Sequence, residues 1–114
     1  MNKVILIGRI GSEMQVHTFE GGGKIGNLSL ATDDSYKNQK GEKITITDWH
    51  RIVIRNKVCD VFERYVKKGD KICVTGKNKT RSYDVNGEKR YVTEVHVSEF
   101  EFVESKQTNN QQPQ

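Results

Sequence analysis

Along most of the chain apolar side chains recur at every second position, the period of a β-strand whose two faces meet different surroundings. Residues 3–8 make a dense aliphatic strand. Residues 24–32 alternate, with Leu28 and Leu30 on one side and Asn27 and Ser29 on the other. Between them Glu20-Gly21-Gly22-Gly23 predicts a turn, because glycine accepts backbone angles that other residues resist. The polar stretch 33–43 reads as a loop or hairpin tip carrying Tyr36. In the strand that follows, Ile44, Ile46, Ile52 and Ile54 share the parity expected to face a core. The period then changes. Val58, Val61, Phe62, Tyr65 and Val66 recur at helical spacing, with Asn56 as the expected N-cap, Lys67 and Lys68 at the negative end and Gly69 as a left-handed stop. Residues 71–79 alternate again, with Ile72 and Val74 inward. Asn86-Gly87 predicts a two-residue hairpin turn, and the chain returns through 90–97, extended by Phe100 and Phe102 to about residue 103. Three strands, one helix and two more strands predict an all-β fold with one helix, a five-stranded Greek-key OB-fold barrel over residues 1–103. An open β-sandwich is the alternative, and the helix after the third strand favours the barrel. Residues 104–114 are too polar to bury a core and predict a short disordered tail.

The outward faces carry the chemistry. On the strand containing Thr47-Asp48-Trp49-His50-Arg51-Ile52-Val53-Ile54-Arg55, the parity opposite the isoleucines holds Trp49, Arg51 and Arg55, an indole followed by two guanidiniums. A second stripe of the same makeup, Lys77, Lys79, Arg81 and Tyr83, follows if its strand runs on without a bulge. Flat rings beside cations suit the two things a single nucleic-acid strand offers, unstacked bases and phosphates. Trp49 and Tyr83 are therefore candidate stacking platforms, with Tyr36 as a third. Arg51, Arg55, Lys57, Lys77, Lys79 and Arg81 are candidate phosphate contacts. The bland reading is a surface strand whose aromatics cover an apolar rim and whose cations are simply solvated. Two independent stripes weigh against it. His50 lies on the apolar parity and is expected to be structural. His17 and His96 have no catalytic neighbours in sequence, and the adjacent Asp33 and Asp34 point apart, so no metal site is expected.

Composition sharpens this reading. The chain has 114 residues and a net charge of +4, unevenly spread. Residues 36–90 carry fifteen Lys/Arg against seven Asp/Glu, a net of +8, while residues 1–35 sum to −1 and residues 91–114 to −3. A basic body with neutral or acidic flanks is the footprint of a polyanion binder. The length fits one small domain. No apolar run approaches the ~18 residues of a membrane span, and the five apolar or small residues before Arg9 are too few for a signal-peptide core, so a cytoplasmic protein without a membrane partner is expected. Cys59 and Cys73 lack companion ligand spacing and read as reduced packing thiols, with no cofactor implied.

The chain resembles the bacterial-type single-stranded DNA-binding protein (SSB) family, also encoded by many phages. The resemblance spans roughly residues 1–103. It rests on Asn2-Lys3-Val4-Ile5-Leu6-Ile7-Gly8, Leu28-Ser29-Leu30-Ala31-Thr32, Thr47-Asp48-Trp49-His50-Arg51, Tyr65-Val66-Lys67-Lys68-Gly69, and Thr80-Arg81-Ser82-Tyr83 followed by Arg90-Tyr91-Val92-Thr93-Glu94-Val95. It implies an OB fold, a homotetramer, no enzymatic activity, and binding of single-stranded DNA in replication, recombination or repair. Trp49 falls on the family's principal stacking tryptophan, and Tyr36 and Tyr83 on further aromatic positions. Lys3, Arg51, Lys57, Lys68, Lys79 and Arg81 fall on basic positions along the DNA path, and His50 on a histidine that supports subunit association. Two departures stand out. Arg55 replaces a common Phe, which trades aromatic for electrostatic character. The family's long linker and acidic tail are not matched by Asn109-Asn110-Gln111-Gln112-Pro113-Gln114, so recruitment of other proteins through such a tail is not expected, whether the chain is truncated or a phage or accessory form.

A family-like accessory protein of the primosome, bridging protein and DNA, is the alternative function. The set Trp49, Tyr83 and Tyr36 favours a binder that coats DNA. An enzyme on the same barrel needs clustered carboxylates or a metal site in the basic region, and the sequence offers none.

Overall fold

The computed structural model describes residues 1–104, so the expected tail lies, from residue 105 onward, outside the described residues. The elements run β1 (Val4–Ile10), β2 (Gln15–Thr18), β3 (Lys24–Lys37), β4 (Lys43–Arg55), α1 (Asn56–Tyr65), β5 (Lys71–Val85) and β6 (Glu88–Glu104). Strands lie side by side in the order β1-β5-β6-β4-β3-β2, and β1 also pairs with β3. That second pairing, Arg9 opposite Ala31 and Ile10 opposite Leu30, closes β1, β3, β4, β5 and β6 into the expected five-stranded barrel. All pairings are antiparallel except β4 with β6, which run parallel where Ile52 meets Val95 and Val53 meets His96. This parallel contact is the crossover of the Greek key.

The inward faces make one core. Leu30, Ile52, Ile54, Ile72 and Val74 are fully buried, and α1 closes one end of the barrel with Cys59 and Phe62, whose ring meets Phe100 at 4.4 Å. Gly8 lies where the barrel closes. A Cβ there would sit 2.2 Å from the Ala31 carbonyl oxygen, so any larger residue would push β1 away from β3. Lys24 ties β3 to α1, its ammonium 2.7 Å from Asp60 and 2.8 Å from Glu63. The hydrogen bonds it donates to these two carboxylates hold its pKa above the ordinary lysine value.

Several sequence expectations need correction. β2 was not anticipated; all four of its residues are exposed, so no apolar parity marks it. The stretch 33–43 is mostly strand, with pairing continuing from Asp33 opposite Thr47 out to Lys37 opposite Lys43. Only the tip turns, where the Asn38 side-chain oxygen accepts from the backbone N–H of Lys40 and Glu42. This arm projects beyond the barrel and is largely exposed, so residues 33–37 lack apolar alternation and Ile46, though on the apolar parity of β4, is exposed rather than in the core. Helix α1 starts at Asn56 itself, and no side chain caps it. Asn56 has φ +51° and spends its side-chain oxygen on the Lys24 N–H instead. Val61 and Tyr65 are exposed, because Cys59 and not Val61 shares the buried face with Phe62. Gly69 is left-handed at φ +96°, but it serves the turn before β5, beyond the end of α1 at Tyr65.

The β5–β6 hairpin matches its prediction. Asn86 and Gly87 both have positive φ, as a type I′ turn requires. Register shifts fall between Lys71 and Ile72 and between Thr75 and Gly76, but in both the extra residue, Val103 or Ser98, belongs to β6. β5 therefore keeps its parity, and Lys77, Lys79, Arg81 and Tyr83 stay on one face.

Candidate nucleic-acid interface

Register sets out this face residue by residue. On β4, Trp49, Arg51, Val53 and Arg55 lie opposite Ala31, Ser29, Asn27 and Ile25 of β3. Across the parallel contact, Val53 lies beside His96 of β6, and His96 and Glu94 lie opposite Lys77 and Lys79 of β5. Three adjoining depressions follow this surface. One lies between the loop before β2, with Ser12 and Glu13, and Trp49, Arg51 and Arg81. A second is walled by Trp49, His50, Tyr83 and Tyr91. A third holds Val53, Arg55, Lys79, Arg81 and His96. Trp49 and Arg51 border the first two, and Arg81 and Glu94 border the first and third, so the three form one continuous groove.

Trp49 is 62% exposed, yet its ring has a seat. A Cβ on Gly11 would lie 2.2 Å from Cζ3 of the indole. The benzo edge therefore rests on bare backbone while the rest of the ring is open to the groove. An exposed aromatic held in this way can accept a stacked base at low ordering cost.

The floor of the groove is not uniformly basic. Glu94 is only 6% exposed. Its carboxylate accepts from Arg81 Nε at 3.3 Å and Nη2 at 3.2 Å, and lies 3.4 Å from His96 Nε2. Burial pushes the Glu94 carboxyl up, but hydrogen bonds from Arg81 and His96 pull it down further, and its pKa settles below the ordinary value. Burial likewise keeps the His96 imidazole below its ordinary pKa; Glu94 opposes this, and the nearby charge of Arg55 reinforces it.

The groove gathers Trp49, Arg51, Arg55, Lys79, Arg81 and Tyr83 from the sequence candidates. Lys77 is exposed on the same face of β5, next along from Lys79. Lys3 is exposed just before β1, where Asn2 and Asn78 exchange hydrogen bonds of 2.8 and 3.0 Å. Tyr36 is exposed on the β3–β4 arm opposite Ile44, apart from all three depressions. Lys57 is exposed in the first turn of α1 and borders none of them. Lys68 borders a fourth hollow, with Met14 and Phe62, which meets the first depression at Ser12, Glu13 and Leu28. His50 is half-buried, its Nε2 2.8 Å from Thr32 Oγ1. Sequence reasoning missed Tyr91, Glu94, His96 and Gly11 as parts of this surface. Tyr91 is 67% exposed, and two exposed aromatics on one hairpin were a signal available in the sequence. The other three become visible only through cross-strand register. Among the described residues no three His, Cys, Asp or Glu side chains come together as a metal site, and no helix is long and apolar enough to cross a membrane.

Known proteins share this architecture. Residues 1–103 match the model of the single-strand binding protein family. A single-stranded DNA-binding protein of Bacteroides thetaiotaomicron is 41% identical over 112 residues, 96% of this chain and 70% of that relative. The structure of a Plasmodium falciparum SSB in complex with single-stranded DNA superposes with a TM-score of 0.83 at 33% identity, covering 91% of this chain and 96% of that one. A deletion variant of the single-stranded DNA-binding protein from Thermus aquaticus shares the fold, with a TM-score of 0.79 at 24% identity over 94% of this chain and 52% of the other. On a match that spans the whole barrel, the chain belongs to the single-strand binding protein family.

Proposed function

We propose that this chain binds single-stranded DNA largely without regard to sequence, covering and protecting it during replication, recombination or repair. The observation that carries this reading is the Trp49 indole, seated on Gly11 and open to a groove that also holds Arg51, Arg55 and Arg81. Bases stack on Trp49, with Tyr83 and Tyr91 as further surfaces along the second depression, while the guanidiniums and Lys79 take phosphates. Lys3 and Lys77 extend the path from its β1 and β5 edge. Tyr36 and Lys57 lie off this groove and join only if the strand wraps beyond it, while Lys68 borders a hollow that meets the groove at Ser12, Glu13 and Leu28. Contacts of this kind recognise the backbone and the flat faces common to all bases, so they favour coverage over sequence selection.

The chain also associates with copies of itself. Ile5 and Ile7 lie within β1, yet are 59% and 53% exposed. A strand with apolar residues on both faces is covered on both in its working state. His50, half-buried beside Thr32, is expected near such a contact, and a tetramer is the assembly the family suggests.

Titration with poly(dT) tests the reading through the single tryptophan, since a base stacked on the indole quenches it. Trp49→Ala should cost ~1–3 kcal/mol of affinity with the domain still folded. Tight binding that leaves Trp49 emission unchanged refutes the stacking role. Sedimentation mass with and without dT oligonucleotides reports assembly, and a monomer at micromolar concentration refutes the oligomer.

A further inference from the structure

A buried carboxylate at the floor of a phosphate-binding groove is out of place on electrostatic grounds. It repels the ligand, and it is costly to bury unless fully paired. Glu94 lies where two of the three depressions meet, between Trp49 and Arg51 on one side and Arg55 and Lys79 on the other. Its two oxygens take Nε and Nη2 of Arg81, the side edge of the guanidinium. Three of the five N–H donors of an arginine lie outside that edge, two on Nη1 and one on Nη2. The Arg81 side chain is 59% exposed while that of Glu94 is 8%, so the gripped edge points inward and the free edge outward.

We propose that Glu94 is a positioning residue for DNA binding: it pins the side edge of Arg81 and presents that guanidinium's outer edge and flat face to the strand. This deepens the single-stranded DNA reading and rests on it. His96 completes the carboxylate's partners from within β6. Because Glu94 neutralises Arg81, this arginine contributes directed hydrogen bonds more than net charge. Lysine is a poor substitute here, since one ammonium has no planar fork with which to hold the buried carboxylate and reach a phosphate together.

The test is poly(dT) affinity of the full chain between 50 mM and 0.5 M salt, with thermal melting of each free variant as the check on folding. Counterion release dominates at low salt, and directed contacts persist at high salt. Glu94→Gln removes the negative charge and half of the grip. Its affinity should equal or exceed the parent's at 50 mM and fall below it at 0.5 M, so that the two salt plots cross and the slope steepens by roughly 0.7. Arg81→Ala should lose about tenfold or more at 0.5 M, the loss expected for a hydrogen bond to a charged group. Arg81→Lys should lose at least half as much on a logarithmic scale, and Glu94→Gln should add nothing further in that background. Parallel salt plots, or Arg81→Lys retaining more than half, overturn the proposal. If Glu94→Gln does not fold, the Arg81→Lys comparison decides alone. Failure of the unaltered chain to bind poly(dT) refutes the DNA reading itself, a distinct result.

Discussion

Replacing Gly11 with alanine tests Trp49 as a platform without removing it. The added methyl would lie 2.2 Å from Cζ3, 2.9 Å from Cη2 and 3.2 Å from Cε3 of the indole. Carbon atoms pack best at ~3.5–4.0 Å, so the nearest ring atom must retreat by more than about 1 Å. Gly11 is not among the positive-φ glycines, so alanine meets no backbone penalty there. The obstacle is the end of a side chain that is already 62% exposed, and the ring can swing toward solvent. An off-rotamer displacement costs about 0.5–1.5 kcal/mol, an upper bound on the loss of stability because the ring is free to choose another rotamer. For a domain of this size ~1 kcal/mol shifts Tm by roughly 4–8 °C, so a larger fall is not expected. DNA binding should suffer more in proportion. If a stacked base is worth ~1–3 kcal/mol, losing the seat forfeits a large part of that, about 5–10-fold in Kd. Because Trp49 is the single tryptophan, emission of the free variant reports the ring's displacement and quenching by poly(dT) reports the affinity. A variant whose emission shows a moved ring but whose affinity stays within twofold of the parent refutes the reasoning.

Arg55→Phe should flatten the salt dependence of DNA affinity while keeping much of the affinity at high salt, because it exchanges a phosphate contact for a stacking surface; an unchanged salt slope means that Arg55 points away from DNA. Gly76→Ala places a Cβ 2.1 Å from the His96 carbonyl oxygen, where backbone must give way, so urea unfolding should show a loss of roughly 1–3 kcal/mol; an unaltered midpoint refutes the close approach. Acid should destabilise the free domain in two stages. Both His96 and Glu94 have pKa values below their ordinary 6.5 and 4.5, so the unfolded chain binds more protons; stability is full above about pH 6.5, falls as the imidazole range is crossed and falls again below about pH 4.5. Melts across that range check the sign, and His96→Gln should remove the first stage. Cys59, its thiol pKa raised first by burial and then by the Glu63 charge, should resist alkylation at pH 8 until the domain is unfolded, whereas rapid labelling at Cys59 itself in a native Cys73→Ser variant refutes that burial.

The barrel's strands, its helix and both of its basic stripes were legible because they carry or extend a period. Leu28 with Leu30, Ile52 with Ile54, and Ile72 with Val74 alternate because each strand has one face in a core, and that requirement is written into neighbouring residues. Asn86-Gly87 was legible because few residues accept positive φ twice in succession. Trp49, Arg51 and Arg55 could be placed on one face from parity alone. Tertiary structure decided what parity does not encode. Only pairing across the strands brings Glu94 beneath Arg81, His96 beside Val53, and bare backbone at Gly11 beneath the indole, for these are contacts between segments distant in sequence. The same holds for the misreadings. Residues 33–37 and β2 escape the alternation rule because solvent reaches most of their side chains, leaving no core to impose it, and Ile46 keeps the alternation of β4 with no core beneath it. Parity also says nothing of where Lys57 and Lys68 sit: α1 places Lys57 in its first turn, bordering none of the three depressions, and the turn after α1 places Lys68 at a hollow that meets the first of them. A local pattern records which face of an element is buried; what that face meets depends on how the elements close around one another.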